Sequence, residues 1–446
     1  MVRVSATVLT ALAAIAAGTI APASADTLNE AMALAYQTNP TIRAERARLR
    51  AVRESKAQAW AGALPQVSAS SAYSKVDNTT QSSAFGGAST SKLDTITAGV
   101  SAEQPVFTGF RNFNAIKQAG ARIRAGGAQL ASTEQQVLFD VASAYFNVQR
   151  NMAVFELRNR NVTVLVRQKE MAQARYDVGE ITRTDVAQAE ARLAEARAQL
   201  SLAQGELAIA RSAYAQLVGQ LPGDLEPVEE LPQLPETLES AQAVAFQYAP
   251  ALISAREQSD VSRRQVNIAK GAFLPSVSLT AGYQYAEEPS FFVDNSKEFS
   301  FGARASMPIF LGGLNFSRVR EAKALHASDR SMLTAAERAV EAQTISAWEQ
   351  LTSARAVTIS AASSVEANKL ALEGVRQEAQ VGTRTTLDVL NAEQESLNAE
   401  VALVSAQRDA QTAAYGLLAA IGMLTPEAAG LTPAALETTA LDLYEE

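Results

Sequence analysis

Two long proline-free tracts constrain the fold of this chain more than any other feature. They occupy residues 106–221 and 309–425 and are nearly equal in length. Both are rich in Ala, Gln, Glu, Arg and Leu, a composition typical of long helices. Globular helices average about 11–12 residues, whereas a helix of about 60–70 residues would be about 100 Å long. The tracts therefore predict an elongated molecule and not a set of compact domains.

The two halves of the chain follow one plan. Short motifs of the first half recur in the second half. The distance between matching motifs is constant along the chain except for one shortening, between residues 65 and 105. This internal duplication predicts a first repeat over 26–220, a linker over 221–236 and a second repeat over 237–424. The matching motifs are Thr27-Leu28 with Thr237-Leu238, Leu64-Pro65 with Leu274-Pro275, Pro105-Val106-Phe107 with Pro308-Ile309-Phe310, and Val178-Gly179 with Val381-Gly382.

Each repeat is predicted to contain two strands followed by a long pair of helices. The polar residues between the first two strands, 77–92, are predicted to form a loop. The strands are predicted at about 66–76 and 93–105 in the first repeat, and at about 276–286 and 298–309 in the second. The helix pairs are predicted at about 108–218 and 311–421.

The two ends of the chain differ from the repeats in composition. Residues 1–25 contain one basic residue, an apolar run from Ala6 to Ile20, and Ala23-Ser24-Ala25 as a small-residue cleavage site. This pattern predicts a secretory signal peptide that is cleaved after Ala25, because the apolar run is too short for a first transmembrane helix. Residues 425–446 are predicted to form an acidic C-terminal tail.

The predicted strands alternate apolar with small or polar residues. From Val277 to Tyr285 the odd positions are apolar, and the pattern returns over residues 298–309. Such alternation is typical of transmembrane β-strands, but a half-buried sheet in a soluble sandwich shows it too. Four strands cannot close a barrel, since single-chain barrels begin at about 8 strands. If the strands lie in a membrane, several copies of the chain must combine their strands in one closed barrel.

Composition excludes several classes of function. The formal net charge is −8 and the chain has no Lys/Arg cluster, which argues against nucleic acid as a partner. It has no cysteine and a single histidine, His326, so thiolate and histidine metal sites are not expected. No nucleophile–base set or phosphate loop is visible. We therefore expect no enzyme activity, no metal and no cofactor.

Two junctions and one turn carry a resemblance to a known family. The strand-to-helix junctions are Gln104-Pro105-Val106-Phe107-Thr108-Gly109 and Met307-Pro308-Ile309-Phe310-Leu311-Gly312-Gly313. The turn in the second repeat is Val381-Gly382-Thr383-Arg384-Thr385-Thr386-Leu387-Asp388-Val389-Leu390. Together with the signal peptide and the duplication, they resemble the TolC family of outer-membrane channels.

The resemblance implies a mixed α/β membrane protein. Three chains, each with four strands, would form a twelve-stranded outer-membrane β-barrel that continues into a long periplasmic α-helical barrel. Such a homotrimer contacts the lipid of the outer membrane. It also docks, through a periplasmic adaptor, or membrane fusion protein, on an inner-membrane pump of the RND or ABC type. It is the passive exit duct for multidrug efflux or type I protein secretion. The alternative is a periplasmic coiled-coil adaptor or structural protein, which also contains long helical hairpins.

The turns between paired helices contain a capping pattern. Thr182 precedes Asp185 by three positions, and Thr385 precedes Asp388 by three. This spacing predicts capping boxes at the starts of the returning helices, after glycine turns. Capping alone is a sufficient role for both aspartates in any helical hairpin.

The resemblance adds specific roles at these turns. It implies that Asp388 forms a ring of carboxylates around the closed periplasmic entrance, with Asn391 in place of a second acidic ring. It also implies that Arg384 locks the entrance through Thr184 and Asp185 of the other helix pair. A pair between Arg384 and Asp388 within one turn is the alternative. The expected adaptor-docking tips are Val178, Gly179, Val381 and Gly382.

Overall fold

The computed structural model describes residues 27–82, 87–228, 233–290 and 292–427. The predicted signal peptide and its cleavage site lie outside these ranges. Most of the predicted acidic tail, beyond residue 427, also lies outside them.

Eight helices in the described ranges repeat one order in the two halves of the chain. α3 and α7 each have 67 residues, which corresponds to about 100 Å at about 1.5 Å per residue. The first half contains α1 Leu28–Thr38, α2 Pro40–Ala61, α3 Arg111–Asp177 and α4 Arg183–Val218. The second half contains α5 Leu238–Tyr248, α6 Pro250–Gly271, α7 Leu314–Gln380 and α8 Thr386–Ala420.

The four strands form a single antiparallel sheet in the order β1-β2-β3-β4. The two hairpins are joined because β2 pairs with β3. As a result β1 and β4 are edge strands of the sheet in the single chain. The strands are β1 Gln66–Ser82, β2 Gly87–Phe107, β3 Ser276–Ser290 and β4 Val293–Ser306.

The strand boundaries correct the sequence prediction. The predicted loop over 77–92 is wrong, since pairing continues from Asp77 with Lys92 to Ser82 with Gly87. β3 and β4 likewise extend further into the second hairpin than predicted. β4 ends at Ser306 instead of residue 309, because Pro308 has no N–H to donate to a strand ladder.

The register of the sheet collects the apolar residues on one face. Val100 lies opposite Ala69 on one side and Tyr283 on the other, and Tyr283 lies opposite Phe299. The next residue of β2, Ser101, begins a row of serine and glycine on the opposite face. Within the described residues no helix packs over either face of the sheet. The soluble-sandwich alternative would require a second layer on the apolar face.

The main core lies where the middle of α3 meets elements from both repeats. Its buried residues come from all eight of these helices and join the two halves of the chain in one cluster. The largest fully buried side chains in this cluster are Met32, Ile42, Leu138, Tyr145, Phe146, Tyr214, Leu252, Leu417 and Ile421. This core fixes the middle of the molecule, and the helix pairs extend from it to their turns.

No helix in the described ranges is both long and apolar enough to cross a membrane.

Candidate functional site

The predicted tip residues lie in two exposed turns. Val178 and Val381 are 73% and 76% exposed, although both are apolar. Gly179 and Gly382 follow them with φ angles of 80° and 83°, the left-handed conformation that favours glycine at a helix end. Each helix pair therefore presents a small, apolar and accessible tip.

Both predicted capping boxes are confirmed. The Asp388 Oδ2 atom accepts from the backbone N–H of Thr385 at 2.9 Å and from its hydroxyl at 2.8 Å. In return, the Thr385 hydroxyl accepts from the Asp388 N–H at 3.2 Å. Thr182 and Asp185 form the same box at the start of α4. Since each pair lies three residues apart, the sequence was sufficient to predict this contact.

The capping box also changes the ionisation of Asp388. Hydrogen bonds from the backbone and the side chain of Thr385 lower the pKa of this carboxyl below its usual range, and the nearby Arg384 charge acts in the same direction. Asp388 therefore carries its negative charge over a wider range of pH than an ordinary aspartate.

Arg384 has a partner that the sequence did not indicate. Its Nε donates to Glu378 Oε2 at 2.7 Å, and both side chains are about half exposed. This bond is the main reason that the pKa of the guanidinium is raised. The structure does not bring Arg384 to Thr184 or Asp185, and the alternative partner, Asp388, acts on it only through space. The turn after α7 folds back over the end of that helix, which places Arg384 beside Glu378.

Asn391 joins the two helix pairs. Its side-chain Oδ1 accepts from Arg192 of α4 at 3.0 Å. Arg192 also forms an ion pair with Glu195 at 3.2 Å. The residue that replaces the expected second acidic ring is therefore occupied by a contact with the first helix pair.

A buried carboxylate forms a second contact between the pairs. Glu393 of α8 has a side chain only 5% exposed, and its Oε1 accepts from Arg376 of α7 at 3.1 Å. The same oxygen accepts from Gln168 of α3 at 3.3 Å. We call these three residues the Glu393 cluster. The sequence alone did not indicate this cluster, because residues 168 and 393 are far apart along the chain.

An apolar contact and a cleft both adjoin the Glu393 cluster. Leu165 of α3, Leu193 and Ala196 of α4, and Leu390 of α8 are buried together. On the side of the tips, a cleft of about 270 Å³ separates the end of α3 from the second turn. Its lining includes Gln168, Arg175, Arg376, Arg384 and Val389.

Comparison with known proteins gives a family match over most of the chain. The family model described as outer membrane efflux protein matches residues 31–220 and 243–423. The outer membrane efflux protein BepC of Brucella suis biovar 1 (strain 1330) is 32% identical over 95% of this chain and 92% of its own length. The outer membrane protein TolC of Vibrio cholerae serotype O1 is 27% identical over 92% of this chain and 94% of its own length.

A solved structure shows the same fold. The CmeC outer membrane channel of Campylobacter jejuni superposes with a TM-score of 0.79 at 17% identity, covering 94% of this chain and 89% of CmeC. The predicted fold class is therefore confirmed, with four strands per chain and long helix pairs.

The matches also decide between the two functional alternatives. They confirm the resemblance stated from the sequence and disfavour a periplasmic adaptor. The family consists of channel and transport proteins. The protein is located in the outer membrane, extends into the periplasm, and provides an exit duct for efflux or secretion. From its repeats, its fold and these matches, the chain belongs to the outer membrane efflux protein family.

Proposed function

We propose that three copies of this chain form one channel-tunnel. The observation that carries this proposal is the sheet, which has one apolar face and, among the residues that the structure describes, no covering layer and no strand paired to the outer edges of β1 and β4. Open edges are not stable in hydrocarbon, so β4 of one copy would pair with β1 of the next. Three such sheets give a closed barrel of twelve strands, whose apolar face contacts outer-membrane lipid.

The proposal extends to the partners at the far end of the helices. The tips lie at the ends of α3 and α7, each of about 100 Å. Val178, Gly179, Val381 and Gly382 would dock on a periplasmic adaptor, which connects the channel to an inner-membrane pump of the RND or ABC type. The channel itself would be passive, so the pump would select between drug and protein cargo.

The proposal also includes a gate at the tips. Asp388 would form a ring of three carboxylates around the threefold axis, which attracts cations. Asn391 would make the next ring neutral. In the trimer Arg384 would reach Thr184 and Asp185 and hold the entrance shut, and competing contacts from the adaptor would release it.

Membrane fractionation with unheated gel electrophoresis tests the channel proposal. We expect the protein in the outer-membrane fraction, migrating as a trimer before heating and as a monomer after heating. The trimer is expected because the edge strands are paired only in the assembled barrel. Recovery of a periplasmic monomer would exclude the proposed channel.

Alanine in place of Arg384 tests the gate. If Arg384 contacts the other helix pair in the trimer, its removal weakens the closed state, and single-channel conductance in planar bilayers should rise at least about twofold. Glu378→Ala is the matched control, since it removes the ion pair that Arg384 forms within the second repeat. Equal conductance in both variants and the wild type would indicate that Arg384 is only a local surface charge and does not hold the entrance shut.

A further inference from the structure

Positive charge is concentrated where the helices meet the sheet. The segments next to the strands are the last ten residues of α2 and α6, 52–61 and 262–271, and the first ten of α3 and α7, 111–120 and 314–323. We call these four segments the collar. The collar contains ten Lys or Arg residues and two Glu residues, a net charge of +8, whereas the whole chain has a net charge of −8. The collar is therefore a basic zone on an otherwise acidic molecule.

Most of the collar cations are not neutralised within the chain. Arg263 and Arg264 pair with Asp260 of the same helix. Among the residues that the structure describes, none of the other eight cations forms an ion pair with a carboxylate. Nine of the ten are exposed. Because like charges repel one another at this density, an anionic partner would stabilise the collar.

The two long helices begin with an exposed aromatic residue that is followed by a cation. In α3, Phe113 precedes Lys117 by four positions, and the Lys117 Nζ lies 4.2 Å from the centre of the Phe113 ring. In α7, Phe316 precedes Arg320 by the same four positions. Residues four apart lie on one face of a helix. On both helices the aromatic ring is therefore nearer the sheet and the cation lies one turn further away.

The helices that lead into the strands show the same order, although they run in the opposite direction. Lys56 precedes the exposed Trp60 by four positions, and Trp60 lies close to the start of β1. Lys270 precedes Phe273, which lies just before β3 and whose ring centre is 4.9 Å from that of Phe316. An aromatic zone thus adjoins the sheet, and a cationic zone lies beyond it. Aromatic and basic side chains occur in this order at the edge of a bilayer.

A contact that recurs in both repeats fixes the height of the collar helices. The Asn112 side chain donates to the carbonyl oxygen of Gly62, and Asn315 makes the equivalent bond in the second repeat at 3.2 Å. Lys56 and Lys117 lie six and five residues from the first of these contacts, a distance of about 8–9 Å along each helix. The two lysines are therefore at one level on neighbouring helices.

We propose that the collar binds acidic phospholipids, through their head groups, in the inner leaflet of the outer membrane. This inference rests on the proposed barrel, whose apolar face contacts lipid. The aromatic residues lie at the edge of the hydrocarbon, and the cations lie at the depth of the head groups. A basic surface at this depth concentrates lipids of net negative charge over zwitterionic lipids. The collar is at the opposite end of α3 and α7 from the tips, about 100 Å away.

Trp60 can report which lipid lies beside the collar. The full-length protein is reconstituted in phosphatidylcholine bilayers with an equal fraction of either brominated phosphatidylglycerol or brominated phosphatidylcholine, since bromine quenches tryptophan fluorescence at short range. The other tryptophan, Trp348, lies about 50 Å along α7 from the sheet, beyond the reach of the lipid. We expect quenching to show at least about threefold enrichment of phosphatidylglycerol, which is lost in about 0.5 M NaCl because salt screens the charges.

The central variant combines Lys56→Gln with Lys117→Gln, which removes two cations at one level near Trp60. We expect the enrichment to fall at least about twofold. Arginine at both positions keeps the charge and should retain the wild-type enrichment. Arg43→Gln combined with Arg167→Gln is the matched control, because it removes two exposed cations from the same helices at about 27 Å and 84 Å from their sheet ends. An equal fall in this control would assign the effect to overall charge and overturn the inference.

The remaining outcomes separate the inference from the channel proposal. Equal quenching by the two brominated lipids overturns the inference, as does enrichment that persists in high salt. Absence of quenching by either lipid also overturns it, because the collar would then face away from the bilayer. In these cases single-channel conductance of the wild type shows that the channel proposal stands. If the glutamine variant does not assemble, the salt dependence of the wild type decides the question. If the wild type does not insert into bilayers, the proposed function fails, and the inference fails with it.

Discussion

Arginine in place of Val100 is expected to stop the chain from assembling in the outer membrane. Val100 lies in the middle of the apolar face, in one cross-strand row with Ala69, Tyr283 and Phe299. An arginine at the bilayer midplane destabilises a transmembrane barrel by about 2–4 kcal/mol, and a trimer would contain three. We expect the trimer band in unheated gels of the membrane fraction to fall at least about tenfold.

The neighbouring residue provides the control for this prediction. Ser101 belongs to the same strand but to the opposite face, where its hydroxyl lies 2.9 Å from that of Ser68. In the proposed barrel this face lines the water-filled lumen, so Ser101→Arg should assemble at close to the wild-type level. If Val100→Arg assembled as well as Ser101→Arg, the apolar face would not contact lipid.

Asparagine in place of Asp388 is expected to remove most of the cation preference of the channel. The amide oxygen can still accept from the Thr385 N–H, so the start of α8 is retained while the trimer loses three negative charges. We expect the binding of a trivalent cation applied from the periplasmic side to weaken at least about tenfold. Blockade of single channels at a series of cation concentrations measures this change.

A matched variant at the other tip isolates the effect of position. Asp177 ends α3 and accepts from Gln173 at 2.8 Å, so Asp177→Asn removes the same charge near the first turn. Because Asp177 is not expected on the threefold axis, its variant should retain wild-type cation binding. Equal weakening in the two variants would assign the preference to the overall charge of the tips.

The pH dependence of the cation preference follows from the capping box. Since the hydrogen bonds from Thr385 lower the pKa of Asp388, the preference should persist below the pH at which an ordinary aspartate is half protonated, about 3.9. It should be lost only as the pH falls through the lowered pKa. A midpoint at or above about 3.9 would indicate that another carboxyl group controls the preference.

Local patterns predicted most of the helices and both capping boxes. The first long helix was predicted to begin at about residue 108, and it begins at Arg111. This prediction was possible because helix-favouring composition and the positions of prolines are local features of the sequence. The outer parts of the first hairpin were missed for a physical reason. Residues 77–82 are mostly polar, so no apolar alternation distinguishes a strand from a loop there.

The contacts between the helix pairs could not be predicted in this way. Gln168 and Glu393 are separated by 225 positions, and Arg192 and Asn391 by 199. Nothing in the local pattern around these residues specifies which helix each will face. Arg384 shows the same limit at short range, since its partner Glu378 depends on how the turn folds back over α7.

The equal lengths of α3 and α7 set the relative position of the two tips. Both helices have 67 residues, and the helices that return from the tips have 36 and 35. One residue inserted in α3 alone would move its tip by about 1.5 Å and rotate it by about 100° relative to the tip of α7. The two tips therefore keep their relative position only while α3 and α7 have equal lengths.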